Sequence, residues 1–343
     1  MSLLLSPASI GSLSLKNRIV MPPMCLYSAT HEGHATPFHT LHYGARALGE
    51  TGLIIVEATG VEPRGRISDK DLGLWNDAHI ASHKSLTDTC HFFGAAIGVQ
   101  LAHAGRKCEC ADETPIAPSA LAFSDAAPYK TPKAMSLEEI ATVTDAFVQS
   151  ALRAQKAGYD VVEIHGAHGY LLCEFLSPLS NQREDQYGGN LENRCRFLLE
   201  VVTSIKKAIT LPVIVRLSAH EWMKEGWQRE DTLILAKALE KAGVDALHIS
   251  SGGNQAAPDN RPRLVPLYQV GEAKAIKNKV GIPVIAVGQI STPIEAEALL
   301  IGETCDFVAF GRELLRNPHL GIEAAKLFKE PTKIPAPYAR AYL

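Results

Sequence analysis

The feature that most constrains this chain is a regular beat of short apolar runs, each answered by a longer helical pattern. The runs are Arg18–Met21, Leu53–Glu57, Ala96–Gln100, Val161–Ile164, Val213–Arg216, Ala246–Ile249, Pro283–Val287 and Phe307–Phe310. Runs this short and this apolar are the strands of parallel sheets, which are covered on both faces. Between them, Leu137–Ala157, Asn193–Ile209 and Asp231–Ala242 carry helical periodicity. Ala157-Gly158 and Ala242-Gly243 place a glycine where a helix ends in a left-handed residue. Eight strands alternating with helices, without an internal linker, predict a single (β/α)8 barrel spanning residues 1–343. A doubly wound sheet is the second choice, but neither Gly-x-Gly-x-x-Gly after a strand nor Gly-Lys-Ser/Thr supports it.

Composition narrows the function. The 343 residues are 46% hydrophobic and 21% charged, as in a globular protein. Thirty-four basic against 37 acidic residues, a net charge of -3, argue against a nucleic-acid or anionic-membrane binder. No apolar run approaches the ~18 residues of a membrane helix. The opening Met1–Pro7 lacks the basic and apolar regions of a signal peptide. Seven scattered cysteines, an odd number, fit reduced thiols in the cytoplasm.

In a barrel, the C-terminal strand ends and the loops after them carry the site. Residues 101–135 and 165–190, after the third and fourth strands, are longer than plain turns and are expected to shape a pocket. Gly288 and Gly311, with Arg312, fit the phosphate-binding loops that barrels build after strands seven and eight. Phosphate alone leaves a non-redox aldolase or isomerase as the alternative. Gln100 and Arg216 narrow the choice, because an amide suits an imide edge and a permanent cation suits an anion or electron-rich ring. A reduced flavin offers both.

His165 and His168 converge only if the chain leaves its strand near His165, which Gly166 and Gly169 ease. They lack the spacing and carboxylates of a metal site, so two donors around one substrate oxygen is the better reading. Tyr170, on the same turn, brings a phenolic proton. Cys25 and Tyr27 lie two apart after the first strand, and Cys25 reads as a contact that tunes an isoalloxazine ring. Cys108-Glu109-Cys110 has no second Cys or His pair at metal spacing and reads as loop.

These residues resemble the Old Yellow Enzyme ene-reductases, most closely their thermophilic-like subclass. The resemblance runs from Leu15–Ile19 to Tyr338–Arg340 and includes Pro23–Cys25, His103–Lys107, His165–Tyr170, Phe175–Asn181, Tyr187–Gly189 and Gly311–Leu315. It implies FMN held by Pro22, Pro23, Met24, Cys25, Ala58, Gln100, Arg216, Gly288, Gly311 and Arg312. It implies NADPH, or NADH, as electron donor and an activated alkene as acceptor, the two taking turns at one place. His165 and His168 would hold the substrate oxygen, Tyr170 would give the proton, and Tyr27 would line the pocket. The tail from about residue 330, with Pro331, Pro335 and Pro337, is expected to be extended rather than helical. The resemblance implies a homodimer or dimer of dimers in which Arg340 enters the neighbouring site near Tyr27. His31–His34 and the loop bearing Cys108 and Cys110 depart from the family pattern.

Overall fold

The computed structural model describes residues 2–260, 262–331 and 334–342. All eight apolar runs are strands: β1 (Ile19–Met21), β2 (Leu53–Gly60), β3 (Ala96–Ala102), β4 (Val161–Gly166), β5 (Val213–Ser218), β6 (Ala246–Ser250), β7 (Val284–Ala286) and β8 (Phe307–Ala309). Each pairs in parallel with the next, and β8 pairs back onto β1, so the ladder closes. The expected (β/α)8 barrel is present. Every residue of these strands except Ala96 is buried, which is why the sequence offered runs rather than alternation. Strands β2 to β6 continue past their apolar runs and carry Ala58, Gln100, His165, Arg216 and Ser250 within the ladder.

Helices α1 (Pro37–Leu48), α2 (His79–Phe92), α3 (Leu137–Lys156), α4 (Leu171–Leu176), α5 (Leu191–Ala208), α6 (Arg229–Lys241), α7 (Val270–Lys277), α8 (Pro293–Ile301), α9 (Arg312–Arg316) and α10 (Leu320–Phe328) follow in order. Helix α3 shows the local logic. Ser136 accepts from the Glu139 amide at 3.1 Å and Glu139 accepts from the Ser136 amide at 2.9 Å, a reciprocal cap. Ile140, Val143, Phe147, Ala151 and Ala154 then fall on one buried face. Gly158 and Gly243 follow α3 and α6 with φ of 89° and 87°, as expected.

The other end of the barrel is plugged. An antiparallel hairpin, Ala8–Ile10 with Leu13–Leu15, inserts Ile10 and Leu15 among Val20, Ile55, Ile214 and Ile285. Three aspartates standing just before a strand fasten that strand's start to its neighbour. Asp160 accepts from the Ile97 amide at 2.8 Å, Asp245 from Val213 at 2.7 Å and Asp306 from Val284 at 2.9 Å. Lys206 and Lys277 neutralise the last two at 2.7 and 2.6 Å.

The tail differs from expectation. Residues Ala336–Tyr342 form a 3-10 turn rather than an extended strand, begun by the Tyr338 amide donating to Pro335 at 2.8 Å. Pro337 sits in the first turn, where a missing N–H costs nothing, so proline spacing alone did not exclude helix. Of the tail, residues 332, 333 and 343 lie outside the described residues. Among the described residues, no helix is long and apolar enough to cross a membrane.

Replacing Asp245 by Ala removes a charged acceptor from both a strand amide and Lys206. The expected loss is about 2 kcal/mol of unfolding free energy, measured by urea titration, with the opposite end of the barrel undisturbed.

Candidate active site

The strands end in loops that enclose a cavity of about 500 Å³, inside the roughly 300–1,000 Å³ range of small-molecule pockets. Pro22, Pro23 and Met24 enter it after β1, His168 after β4, Arg216 from β5, Ser250 from β6, Val287–Ser291 after β7 and Gly311–Glu313 after β8. Seven of the ten residues expected to hold FMN therefore stand in one wall, and so does His168. Gly288 has φ of 137°, and a Cβ there would come within 2.5 Å of the Gln269 side chain. Only a glycine backbone can lie that close to this wall.

Arg216 is 7% exposed and its Nε has no hydrogen-bond partner. Burial lowers its pKa, with Glu163 opposing, yet a guanidinium stays protonated. A buried cation with an unused donor at the cavity wall fits an electron-rich ring carrying negative charge, as FMN requires. Gln100 is buried beneath the wall, and its amide donates to Glu163 at 2.8 Å. Glu163 in turn accepts from His248 Nδ1 at 2.7 Å. Ala58 is Gln100's neighbour in the ladder.

A second group adjoins the first. Cys25 and Tyr170 pack against a small buried cluster of Ala58, Ile67, Ala102, Ala104, Cys108 and Cys110. Neither they nor Tyr27 line the cavity wall itself. The link is His165, the ladder partner of Arg216. Its ring lies 5.2 Å from that of His168 and 4.9 Å from that of Tyr170, both edge-to-face. The chain leaves β4 after Gly166, and both His168, at φ 60°, and Gly169, at φ 71°, are left-handed. Three bonds hold that turn: the His168 amide donates to Ser218 at 2.9 Å, Lys107 Nζ to the His168 carbonyl at 3.0 Å, and His168 Nε2 meets Ser250 Oγ at 2.7 Å.

Electrostatics assign protons. Burial, followed by the Arg216 charge, holds both His165 and His168 well below the ordinary imidazole range, so both are neutral. His165 Nδ1 accepts from the Ala167 amide at 3.3 Å, which leaves its proton on Nε2 as a donor. Burial, reinforced by Cys25 and Tyr27, pushes Tyr170 well above the usual phenol range. Burial, then the Asp71 and Glu57 carboxylates, pushes the Cys25 thiol up to about 12, and a thiol held protonated is a poor nucleophile. Tyr27 is 46% exposed and left-handed at φ 49°.

Sequence reasoning missed Tyr268, Gln269 and Arg316 in the cavity wall, and Lys107 above Tyr170. Tyr268 and Gln269 follow a long connection after β6 and carry no local signal. Arg316, one turn beyond Arg312 on α9, was findable from its spacing. Among the described residues, no group of three or more His, Cys, Asp or Glu is placed to hold a metal.

The sequence profile of the NADH:flavin oxidoreductase / NADH oxidase family matches residues 3–330. The NADPH dehydrogenase of Geobacillus thermodenitrificans is 47% identical over 342 residues, covering 99% of both chains. That of Halalkalibacterium halodurans is 47% identical over 341 residues, again covering 99% of each. Among solved structures, morphinone reductase superposes with a TM-score of 0.83 at 31% identity, over 98% of this chain and 92% of that one. The Old Yellow Enzyme homologue from Zymomonas mobilis gives 0.81 at 30% identity, over 96% and 94%. The chain belongs to the NADH:flavin oxidoreductase / NADH oxidase family and is an NAD(P)H-dependent FMN oxidoreductase.

Proposed function

We propose that this oxidoreductase reduces activated C=C bonds in enones, enals, maleimides and nitroalkenes, with the whole chain acting as one FMN-binding unit. The observation that carries the reading is the meeting of His165, at the end of β4 beside Arg216, with His168 and Tyr170 on the turn that follows. FMN, when bound, supplies the hydride-transfer chemistry. The residues do the rest. His165 and His168, both neutral, hold the carbonyl or nitro oxygen of the acceptor and stabilise the negative charge that develops there. Tyr170, protonated throughout the working pH range, gives its phenolic proton to the α-carbon. Pro22, Pro23, Met24, Ala58, Gln100, Gly288, Gly311 and Arg312 join Arg216 in holding the cofactor, and Cys25 tunes it from the protonated state. Tyr27 lines the acceptor pocket. NADPH and the acceptor use the same place in turn, which requires ping-pong kinetics.

We further propose a homodimer or dimer of dimers, with Arg340 reaching the neighbouring substrate site. The exposed 3-10 turn that carries Arg340 supports this reading.

Four outcomes test these readings. The His165→Ala/His168→Ala double variant should stay yellow but lose phenol binding and enone turnover; loss of flavin instead would reassign the turn to the cofactor. Wild-type turnover should show no transition in the ordinary imidazole range, since burial and Arg216 hold both imidazoles well below it and they lose their protons only at lower pH. Tyr170→Phe should slow enone reduction by about 10²–10⁴-fold, leaving flavin reduction by NADPH intact in stopped-flow. Deleting residues 336–343 should raise the Michaelis constant for the acceptor and loosen the oligomer in light scattering, at unchanged FMN content.

A further inference from the structure

Cys108 and Cys110 take no part in the chemistry above, yet their arrangement has chemistry of its own. The loop after β3 makes a short 3-10 turn, Gly105–Lys107, and leaves it at Cys108 in extended conformation, φ -68° and ψ 122°. An extended chain puts alternate side chains on one side. The two thiols, both free, belong to one small buried cluster, where the Cys110 thiol donates to the Arg66 carbonyl at 3.9 Å. They are buried, but Glu109 between them and Ala111 and Asp112 beyond them are exposed, so the pair lies one residue beneath the surface. Lys130 Nζ holds the loop by donating to the carbonyls of Cys110, Ala111 and Glu113 at 3.2, 2.6 and 2.9 Å.

The seven thiols are not equivalent. Burial pushes those of Cys25, Cys90, Cys173, Cys195 and Cys305 up to about 12. The Cys110 side chain draws the Cys108 thiol below its ordinary range, while the Cys108 side chain in turn pushes Cys110 up. A thiolate is the attacking species in disulfide exchange, so Cys108 is the thiol equipped to attack and Cys110 the one placed to resolve.

We propose that Cys108 and Cys110 form a reversible oxidation site, closed to an intraloop disulfide by a low-molecular-weight disulfide of the glutathione type, and that closure disturbs the substrate side of the pocket. The Cys108 thiolate attacks one sulfur of the oxidant, forming a mixed disulfide and releasing the other half as a thiolate. Cys110 loses its proton and attacks the Cys108 sulfur, releasing the second half. Two protein thiols are oxidised to one disulfide, the oxidant is reduced to two thiols, and the two protons pass to them.

The consequence for the pocket follows from what the loop carries. In extended chain, residues two apart have Cα atoms about 6.6 Å from each other, near the long end of the ~4.4–6.8 Å that a disulfide spans, so closing the bond pulls on the backbone. The residue before Cys108 is Lys107, which donates to the carbonyls of His168 and Gly253 at 3.0 and 3.2 Å and stands 4.8 Å over the Tyr170 ring. Both sulfurs also belong to the cluster against which Cys25 and Tyr170 pack.

The test uses flavin-loaded protein treated with oxidised glutathione, then alkylated and digested with trypsin. Residues 108–130, bounded by Lys107 and Lys130, form one peptide holding both thiols and no other cysteine. The expected result is a peptide that has lost two hydrogens, resists alkylation and is restored by dithiothreitol. Cys110→Ser should arrest the reaction as a glutathione adduct on Cys108, and Cys108→Ser should show neither product. The oxidised enzyme should keep its FMN, bind phenol more weakly and lose on the order of tenfold or more in enone kcat. A peptide that stays fully alkylated, an adduct on Cys110 in its place, or a disulfide with unchanged phenol binding would overturn the proposal. The peptide mass and phenol titration read independently of turnover, so a protein with no enone activity would count against the preceding reading and not against this one.

Discussion

The site depends on one buried cation. Arg216 lies within the closed ladder, and register fixes His165 beside it rather than any feature of the loop. A guanidinium cannot shed its charge, so its field acts on everything within a few ångströms in a poorly solvated interior. That field, added to burial, keeps His165, His168 and His248 neutral. Glu163 is the nearby counterweight, itself tied by Gln100 and His248. A neutral imidazole pair can donate to an oxygen without carrying a proton that would be released with pH. The same cation, with one donor unused, faces the wall that suits FMN. On the proposed reading, cofactor holding and substrate holding share one electrostatic source.

Much of this was legible in the sequence because the barrel converts position into direction. Once eight apolar runs are recognised, polar residues at their ends must face one opening, which is how His165, Arg216, Gly288 and Arg312 were picked without any contact in view. The strand boundaries were less legible. The apolar signal stops at Ile164, Arg216 and Ile249, while the ladder continues to Gly166, Ser218 and Ser250, because hydrogen bonding does not require apolar side chains. Tyr268 and Gln269 were invisible for a different reason: they reach the cavity from a long connection whose path no periodicity encodes. The tail misled because proline forbids a helix interior but not a helix start. Gly169 is left-handed at φ 71°, as its place on the turn suggested, but the left-handed His168 before it was not legible, since sequence shows which residues tolerate that conformation and not which are forced into it.

What forces it is a polar network behind the turn. Lys107 clamps the His168 and Gly253 carbonyls from one side, and Ser218, which accepts the His168 amide, donates to the Gly252 carbonyl at 2.8 Å. Deeper, Arg106 donates to the Asn254 carbonyl at 2.5 Å, and its amide donates to Glu174 of α4 at 2.8 Å. Asn254 donates to Glu221 at 2.5 Å and to Ser180 at 3.1 Å, and Glu221 also accepts from Ser177 and Trp227, each at 2.6 Å. Loops after β3, β4, β5 and β6 are thereby joined by bonds rather than by apolar contact. Burial pushes Glu174 up to about 8 against the pull of Arg106, so this network carries a carboxyl that burial disfavours as an anion. Such an arrangement sacrifices stability for geometry. An apolar packing of the same loops would hold as well but would not fix hydrogen-bond directions, and the candidate chemistry at His165, His168 and Tyr170 depends on direction.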